Sequence, residues 1–225
     1  MYHDRCAMKV GTDGVLLGAW TNIDNAKTVL DIGTGTGLIT LMLAQRLNNK
    51  SLIDAIDIDK SAAEQATDNI VNSGFKGICC MWVALQEYAD CCQKNYDLIV
   101  SNPPYFSDSL HSPDQQRTLA RHTPSLTSTD FVKHAVRLLS DVGKLSVIFP
   151  YGDHRKMIDV ACNEGLTVTR MTTVYTTPNS SAKRILIEFS KETNQLIINE
   201  LIIETERHIY SEDFTTLLKD FYLKM

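Results

Sequence analysis

The sequence contains no apolar run long enough to cross a lipid bilayer, and its first residues lack the charged and apolar regions of a signal peptide. A membrane-spanning helix needs about 20 consecutive apolar residues, and a secretory signal has a recognisable order of segments. We therefore expect a cytoplasmic protein that is neither embedded in a membrane nor secreted.

Patterns typical of metal sites are also missing. The cysteines include two adjacent pairs, Cys79–Cys80 and Cys91–Cys92, but no C-x-x-C pair, and the histidines form no H-E-x-x-H cluster. This spacing predicts neither a zinc site nor a disulfide framework. The thiols are therefore expected to be free in a reducing cytosol, and no metal is predicted.

The sequence has no excess of positive charge, since 22 lysines and arginines stand against 27 aspartates and glutamates and the net charge is −5 at pH 7. An acidic balance counts against a large nucleic-acid partner, although a local basic patch can coexist with it. The 225 residues are 44% hydrophobic, which is enough for one substantial core. We predict one domain over residues 1–225, made of an N-terminal turn and helix (1–27), a core (28–190) and a C-terminal hairpin and helix (191–225).

The most informative stretch is TVLDIGTGTG, residues 28–37, in which an apolar run leads into glycines at alternate positions, Gly33, Gly35 and Gly37. A strand, a glycine turn and a helix open the cofactor site of doubly wound α/β domains, because glycines let the backbone approach a ligand closely. Asp57 ends the next apolar run. An acidic side chain there can hold both ribose hydroxyls of a nucleotide-like cofactor.

The spacing of this glycine turn favours S-adenosylmethionine as the cofactor. It lacks the two-residue gap of the dinucleotide fingerprint G-x-G-x-x-G, and the chain has no phosphate-binding G-x-x-x-x-G-K-[ST]. On the turn alone, a nicotinamide cofactor and a turn without any ligand stay open as alternatives.

Apolar strands alternate with helical patterns along the chain, which is typical of a mostly parallel α/β sheet. Residues 96–101 (YDLIVS) form a near-continuous apolar strand, as expected for burial on both faces. A hairpin-like connection separates strands near 167–175 and 184–189, so we predict an antiparallel last strand. The LII runs near 196–203 predict a further hairpin or edge strands. The S-x-x-E pattern at Ser61 predicts a capping box.

The sharpest chemical signal is Asn102-Pro103-Pro104-Tyr105, directly after the strand at 96–101. Ligands of open α/β sheets bind beyond the carboxyl ends of the strands, so this tetrad should face the glycine turn. An amino or amide NH2 is a poor nucleophile, because its lone pair is delocalised. The Asn102 oxygen and a backbone carbonyl fixed by the prolines can accept its N–H groups and direct the lone pair at a methyl donor. Tyr105 offers a face for a planar base, and an ordinary strand-ending turn is the alternative.

The motifs DIGTGTG and NPPY, with Asp57 between them, resemble the amino-directed S-adenosylmethionine methyltransferases, which include adenine-N6 and glutamine-N5 enzymes. The segments HDRCAMKVGTDGVLLGAW, SNPPYF, QQRTLARH and YSEDFTTLLKDFYLKM narrow the resemblance to the bacterial tRNA-Val adenine-N6 methyltransferases, over essentially the whole chain. Those enzymes modify the adenine at tRNA position 37. The resemblance implies a Rossmann-like class I methyltransferase fold, with a mostly parallel seven-stranded sheet, an antiparallel last strand and helices on both faces.

The resemblance also implies roles for the residues that match the family's motifs. The glycine turn would cradle S-adenosylmethionine and Asp57 would bind its ribose, while Thr12 and Asp13 would close over its methionine end. Ordinary turn chemistry is the alternative for those two. The cofactor candidates are Thr12, Asp13, Asp31, Gly33, Thr34, Gly35, Asp57, Ile58, Ala84 and Leu85, and the catalytic candidates, which would hold the target adenine, are Asn102, Pro103, Pro104 and Tyr105.

Two features depart from the family's pattern. Members usually carry an aspartate near the cofactor adenine, where this chain has Ala84. Backbone groups and apolar contacts are expected to replace it. Members also carry a short lead with Phe and Lys before the position of Met1, and any RNA contact from that lead is expected to be absent here.

Contacts with tRNA are predicted at Arg117, Arg121 and His122. The two arginines share a face if RTLAR is helical, and they could clamp phosphates beside the target base. A solvated helical turn is the alternative. Lys183 and Arg184 are further candidates. An anticodon loop is single-stranded, so presenting its base costs less unstacking than in a duplex.

The leading hypothesis is methyl transfer from S-adenosylmethionine to N6 of adenine in tRNA, at position 37 of valine tRNA. Glutamine-N5 methylation of a release factor uses the same NPPY chemistry, but only the 27 residues before the first strand are available for the helical substrate domain that it would need. A DNA adenine methyltransferase would need a target-recognition insertion, and none is apparent. A non-catalytic RNA-binding module on the same fold is the remaining alternative, favoured by Ala84 and opposed by the intact NPPY.

Overall fold

The computed structural model of the chain describes Tyr2, residues 11–103 and residues 126–222. The helices in these ranges are α1 (Thr12–Trp20), α2 (Leu38–Leu47), α3 (Lys60–Ser73), α4 (Leu85–Cys91), α5 (Ser128–Leu138), α6 (His154–Asn163) and α7 (Glu212–Leu218). The strands are β1 (Thr28–Ile32), β2 (Leu52–Asp57), β3 (Ile78–Trp82), β4 (Tyr96–Ser101), β5 (Leu139–Pro150), β6 (Thr167–Tyr175), β7 (Arg184–Ser190), β8 (Ile197–Ile202), β9 (Glu204–Glu206) and β10 (Ile209–Tyr210). None of these helices is long and apolar enough to cross a membrane.

Strands β1 to β8 form one sheet in the order β3-β2-β1-β4-β5-β7-β6-β8. Strand β7 runs antiparallel to both of its neighbours, and the other pairings are parallel. The predicted mostly parallel α/β sheet with an antiparallel strand is confirmed. The sheet contains the seven predicted strands, and β8 is added to them as an edge strand that pairs in parallel with β6. The edge strand predicted near 196–203 is thereby confirmed. Strands β9 and β10 form a separate hairpin.

Helices cover both faces of the sheet, as predicted, and each face has its own apolar core. One core contains Phe131 and Phe189 and lies under α4, α5 and α6. The other contains Leu43 and Phe214 and lies under α1, α2 and α7. The adjacent β4 residues Leu98 and Ile99 belong to opposite cores. This two-sided burial explains why β4 is a continuous apolar run rather than an alternating one.

The starts of three helices show how local hydrogen bonding sets their limits. Helix α3 has Asp59 as its N-cap, whose Oδ1 accepts from the Ser61 N–H at 2.8 Å. The predicted capping box at Ser61 is therefore wrong, because Asp59 already fills the capping position. Helix α1 begins at Thr12, so the GTDG segment forms its first turn. Ser211 caps α7 by accepting from the Phe214 N–H at 3.0 Å.

The carboxyl end of α1 is anchored to the body of the protein by two arginines. The guanidinium of Arg170 lies over the Trp20 ring, 3.7 Å from its centroid, and Nη2 donates to the Trp20 carbonyl at 2.9 Å. Arg46 donates from Nη1 to the Gly18 carbonyl at 2.8 Å. These contacts satisfy carbonyls that a helix end leaves without partners, and they orient α1 on the sheet.

Candidate functional site

The candidate site lies at the carboxyl edge of three neighbouring strands, β2, β1 and β4. Ile32, the last residue of β1, is in register with Ile56 of β2 and with Ser101 of β4. The edge beyond these residues is where open α/β sheets bind their ligands. Each of these three residues is followed directly by a candidate site residue, namely Gly33, Asp57 and Asn102. The register of the strands therefore brings these candidates side by side.

The glycine turn borders open space. Gly33, Gly35 and Gly37 all have positive φ angles, of 72°, 57° and 79°. A Cβ added to Gly33 or Gly35 would meet no heavy atom within 4 Å, whereas one on Gly37 would lie 3.4 Å from the Cα and Cβ of Ala66. The first two glycines therefore leave room for a ligand at the backbone, and the third serves the packing of the turn against α3.

Asp31 is the most deeply buried ionisable group of the site, with no exposed surface. Its Oδ2 accepts from the hydroxyls of Thr34 at 2.8 Å and Thr40 at 2.7 Å. Burial raises the pKa of its carboxyl group to about 6, although the two hydroxyl contacts act in the opposite direction. Among the described residues, Oδ1 has no hydrogen-bond partner. A buried acceptor of this kind is costly unless another group donates to it, and Thr40 carries no signal in the sequence that would have linked it to the site.

Asp57 connects the end of β2 to the glycine turn. Its Oδ2 accepts from the Gly35 N–H and its Oδ1 from the Asp59 N–H, both at 2.8 Å. Burial raises the pKa of its carboxyl group. Each carboxylate oxygen can accept a second hydrogen bond, so the side chain retains capacity for ligand hydroxyls. The bond to Gly35 was not anticipated from the sequence.

The segments after β2 and β3 also lie together at this edge. Ile58 follows Asp57 and is 50% exposed. The Val83 N–H donates to the Asp57 carbonyl at 2.9 Å, which keeps the two strand ends adjacent. Ala84 is the N-cap of α4 and supplies no side-chain hydrogen bond, and Leu85 is buried. An aspartate at the position of Ala84 would have been able to cap this helix.

The first turn of α1 adjoins the start of α2. A Cβ on Gly14 would lie 3.1 Å from Cδ2 of Leu38, the residue that follows the glycine turn. The predicted residues Thr12 and Asp13 belong to this turn of α1. Asp13 is engaged in an ion pair, since its Oδ2 accepts from Nε of Arg184 at 2.7 Å. Arg184, a candidate for RNA contacts, is thus paired with a candidate for cofactor contacts.

Asn102 and Pro103 are partly buried and directly follow β4. The Ser101 hydroxyl donates to the Ile32 carbonyl at 2.8 Å, which ties the end of β4 to the end of β1 just before Asn102. Within the described ranges, no group of three or more His, Cys, Asp or Glu residues is arranged to hold a metal ion. The remaining predicted residues, Pro104, Tyr105, Arg117, Arg121 and His122, lie outside the described residues.

Three curated proteins with similar sequences carry the same name. The family model described as "Methyltransferase small domain" matches residues 11–152. The chain is 48% identical over 227 residues to a tRNA1(Val) (adenine(37)-N6)-methyltransferase of Parabacteroides distasonis, covering 100% of this chain and 95% of that protein. A protein of the same name from Phocaeicola vulgatus is 46% identical over 226 residues, with coverage of 100% and 95%. One from Trichodesmium erythraeum is 48% identical over 223 residues, with coverage of 98% and 93%.

Solved structures resemble the fold at lower sequence identity. A predicted O-methyltransferase from Agrobacterium tumefaciens, Atu636, has a TM-score of 0.72 and 21% identity, and the match covers 92% of this chain and 96% of that one. TrmN from Thermus thermophilus has a TM-score of 0.54 and 19% identity, with coverage of 74% and 44%. These structural likenesses support the sheet architecture described above.

Proposed function

The chain belongs to the methyltransferase small-domain family and to the family of tRNA1(Val) (adenine(37)-N6)-methyltransferases, and from this premise we propose that it methylates N6 of an adenine in tRNA. The methyl donor is S-adenosylmethionine, the target is position 37 of valine tRNA, and the reaction takes place in the cytoplasm. The observation that carries this proposal is the meeting of the glycine turn, Asp57 and Asn102 at one sheet edge.

The residues at this edge fit S-adenosylmethionine. The open space at Gly33 and Gly35 can accommodate a ligand against the backbone. Oδ1 of Asp31, which has no partner among the described residues, is suited to an ammonium group such as the cofactor's methionine carries. Asp57 has acceptor capacity for ribose hydroxyls, and Ile58 offers apolar surface to an adenine ring. When bound, the cofactor supplies an electrophilic methyl group. Roles for Thr12, Asp13, Thr34, Ala84 and Leu85 stay predictions.

Asn102 is assigned the activation of the acceptor nitrogen. The lone pair of the adenine amino group is delocalised into the ring, which makes the nitrogen a poor nucleophile. The Asn102 side-chain oxygen and a carbonyl of the Pro103–Pro104 segment accept its two N–H groups, and this draws the lone pair out of the ring. Displacement at the methyl carbon would break its bond to sulfur and release S-adenosylhomocysteine. The nitrogen would lose a proton to water as its new bond to carbon forms, so the site needs no strong base. Alignment of the two reactants supplies much of the acceleration.

The experiment that tests this function is the transfer of labelled methyl from S-adenosylmethionine to total tRNA from a strain that lacks the protein. We expect N6-methyladenosine at position 37 of valine tRNA after nucleoside analysis. Label in a release factor without label in tRNA would reassign the activity to glutamine. Binding of S-adenosylmethionine with neither product would favour a non-catalytic module.

Replacing Asn102 with alanine should separate turnover from cofactor binding. We expect Asn102→Ala to lower kcat about 100-fold or more, the loss typical of a hydrogen-bonding group that acts in the transition state, with a near-normal Kd for S-adenosylmethionine. The matched control is Asn72→Ala, on the exposed side of α3, which should change neither quantity. Wild-type turnover in Asn102→Ala would remove this residue from the reaction.

A further inference from the structure

A second group of side chains lies at the same sheet edge, one strand beyond the candidate site. Strand β5 pairs in parallel with β4, and Val147 is in register with Ser101. Asn102 is therefore level with Ile148 of β5. Strand β5 continues to Pro150, and Tyr151 follows it. At about 3.3 Å of rise per residue, Tyr151 lies about 10 Å further than Asn102 along the strand direction.

Contacts of Tyr151 join the end of β5 to the start of β7. Its N–H donates to the Lys183 carbonyl at 3.1 Å. The residue as a whole is 38% exposed. Its ring lies against the His154 ring, with the two centroids 4.6 Å apart. Arg155 and Lys183 are exposed. We call the group formed by Tyr151, His154, Arg155 and Lys183 the Tyr151 surface.

The charge of the Tyr151 surface is opposite to that of the whole chain, whose net charge is −5. In the described part of the chain, the ion pairs include neither Arg155 nor Lys183, whereas the neighbouring Arg184 is paired with Asp13. Asp153 is the acidic neighbour in sequence. An acidic protein that binds a polyanion needs such a local concentration of positive charge.

We propose that the Tyr151 surface binds the single-stranded RNA beside the target adenine. The Tyr151 ring stacks on an unpaired neighbouring base, and Arg155 and Lys183 contact phosphates. Proteins that bind single strands combine aromatic platforms with positive charge along the backbone, and RNA recognition favours unpaired bases that can stack on aromatic rings. The offset of about 10 Å from Asn102 leaves room for the target base and its neighbour to occupy separate places. This assignment rests on the proposed function, because it names where the tRNA of that reaction binds.

The test compares variants by their affinity for unmodified valine tRNA, measured by fluorescence anisotropy, and by steady-state kinetics. Tyr151→Ala should raise the Kd for tRNA about tenfold, the typical loss of one stacked base, while Tyr151→Phe should stay near wild type. The double variant Arg155→Ala/Lys183→Ala should also bind more weakly. The slope of log K against log salt should become shallower by about 1.4, because each phosphate contact to a single strand contributes about 0.7. The KM for tRNA should rise, with kcat at saturating tRNA and the Kd for S-adenosylmethionine unchanged.

The matched control removes the same charge from the opposite edge of the sheet. Lys50 and Lys76 are exposed and precede β2 and β3 at their amino ends, so Lys50→Ala/Lys76→Ala should leave the affinity and the salt slope at wild-type values. An equal loss in this control would show a general charge effect and overturn the inference. So would normal tRNA affinity in Tyr151→Ala and in the Arg155/Lys183 variant.

Methylation and binding of tRNA by the wild-type protein show which of the two proposals has failed. If it methylates tRNA and the variants bind tRNA normally, only the Tyr151 surface is wrong. If it binds tRNA without methylating it, and the variants bind more weakly, the surface stands and the proposed reaction fails. If the wild-type protein does not bind tRNA, both fail.

Discussion

Asp31 combines two properties that are costly to maintain in a protein interior. It is fully buried, and one of its two carboxylate oxygens has no partner among the described residues. Its other oxygen is held by two threonine hydroxyls, so the side chain cannot simply rotate to share these donors. A carboxylate held in this way is preorganised for a donor that arrives with a ligand.

The affinity for S-adenosylmethionine should therefore depend on the protonation of Asp31. The carboxyl group is ionised above its pKa of about 6 and neutral below it, and only the ionised form attracts an ammonium group. Lowering the pH from 7.5 to 5 should raise the Kd about tenfold, because about a tenth of the groups stay ionised one unit below the pKa. Isothermal titration calorimetry over this range measures the change.

The comparison variant is Asp31→Asn, which should bind the cofactor more weakly and without this step in pH. A constant Kd in the wild-type protein would contradict the role of Asp31. A step that persists in Asp31→Asn would assign the titration to Asp57, whose pKa burial also raises.

Gly35, in the turn between β1 and α2, can be compared with Gly74, a glycine at which alanine would introduce similar backbone strain. Gly35 and Gly74 have positive φ angles of 57° and 76°, and a Cβ at either position would meet no heavy atom within 4 Å. Gly74 is the C-cap of α3, whereas Gly35 donates its N–H to Asp57. The two glycines therefore differ in what they border and not in the strain that alanine would introduce.

Gly35→Ala and Gly74→Ala should lower the free energy of unfolding by similar amounts, about 1 kcal/mol each, because L-residues are strained at positive φ. Only Gly35→Ala should weaken the binding of S-adenosylmethionine, since its methyl group fills the space that the ligand would occupy. Urea unfolding and calorimetry measure the two quantities. Equal cofactor affinity in both variants would show that this space is not part of the site.

The strands and helices also show how far the sequence could predict the fold. The apolar run of β4 correctly predicted a central strand, because Leu98 and Ile99 are buried in opposite cores. The LII runs near 196–203 also predicted a strand, but they could not show how it pairs. Its residues Ile197 and Ile198 are 54% and 64% exposed, so the apolar pattern there did not report burial.

The candidate site was predictable where its residues follow one another in sequence or end a strand. The glycine turn, Asp57 and Asn102 fall into this class. The ion pair between Asp13 and Arg184 does not, because 171 residues separate its members and neither has a local signal for the other. Tyr151 was missed for a related reason, since a single tyrosine after a strand is distinguished only by the Lys183 carbonyl and the His154 ring that it contacts.

The whole molecule is built around one continuous sheet, with residues of the two ends of the chain sharing one core. Leu16 of α1, Leu201 of β8 and Phe214 of α7 belong to the same apolar cluster as Leu43 of α2. The single domain over residues 1–225 stays a prediction, and the shared core is the reason to expect that these elements unfold together.

Calorimetric unfolding should accordingly show one cooperative transition, with equal calorimetric and van't Hoff enthalpies. S-adenosylmethionine at 100 times its Kd should stabilise the folded state by about 2.7 kcal/mol and shift the whole transition. Two transitions, or a shift of only part of the heat absorption, would show that an end of the chain unfolds separately. The control is S-adenosylmethionine with Gly35→Ala, which should shift the transition less.

The position of β1 between β2 and β4 has a consequence for when the site comes into existence. Ile32 reaches its partner Ser101 across 69 residues of chain, and such distant parallel pairing forms late because a long loop must close first. A nascent chain that has folded only as far as β2 has a glycine turn and Asp57, but no Asn102 beside them. During synthesis, the newly made protein therefore completes its candidate site and the centre of its sheet in the same event.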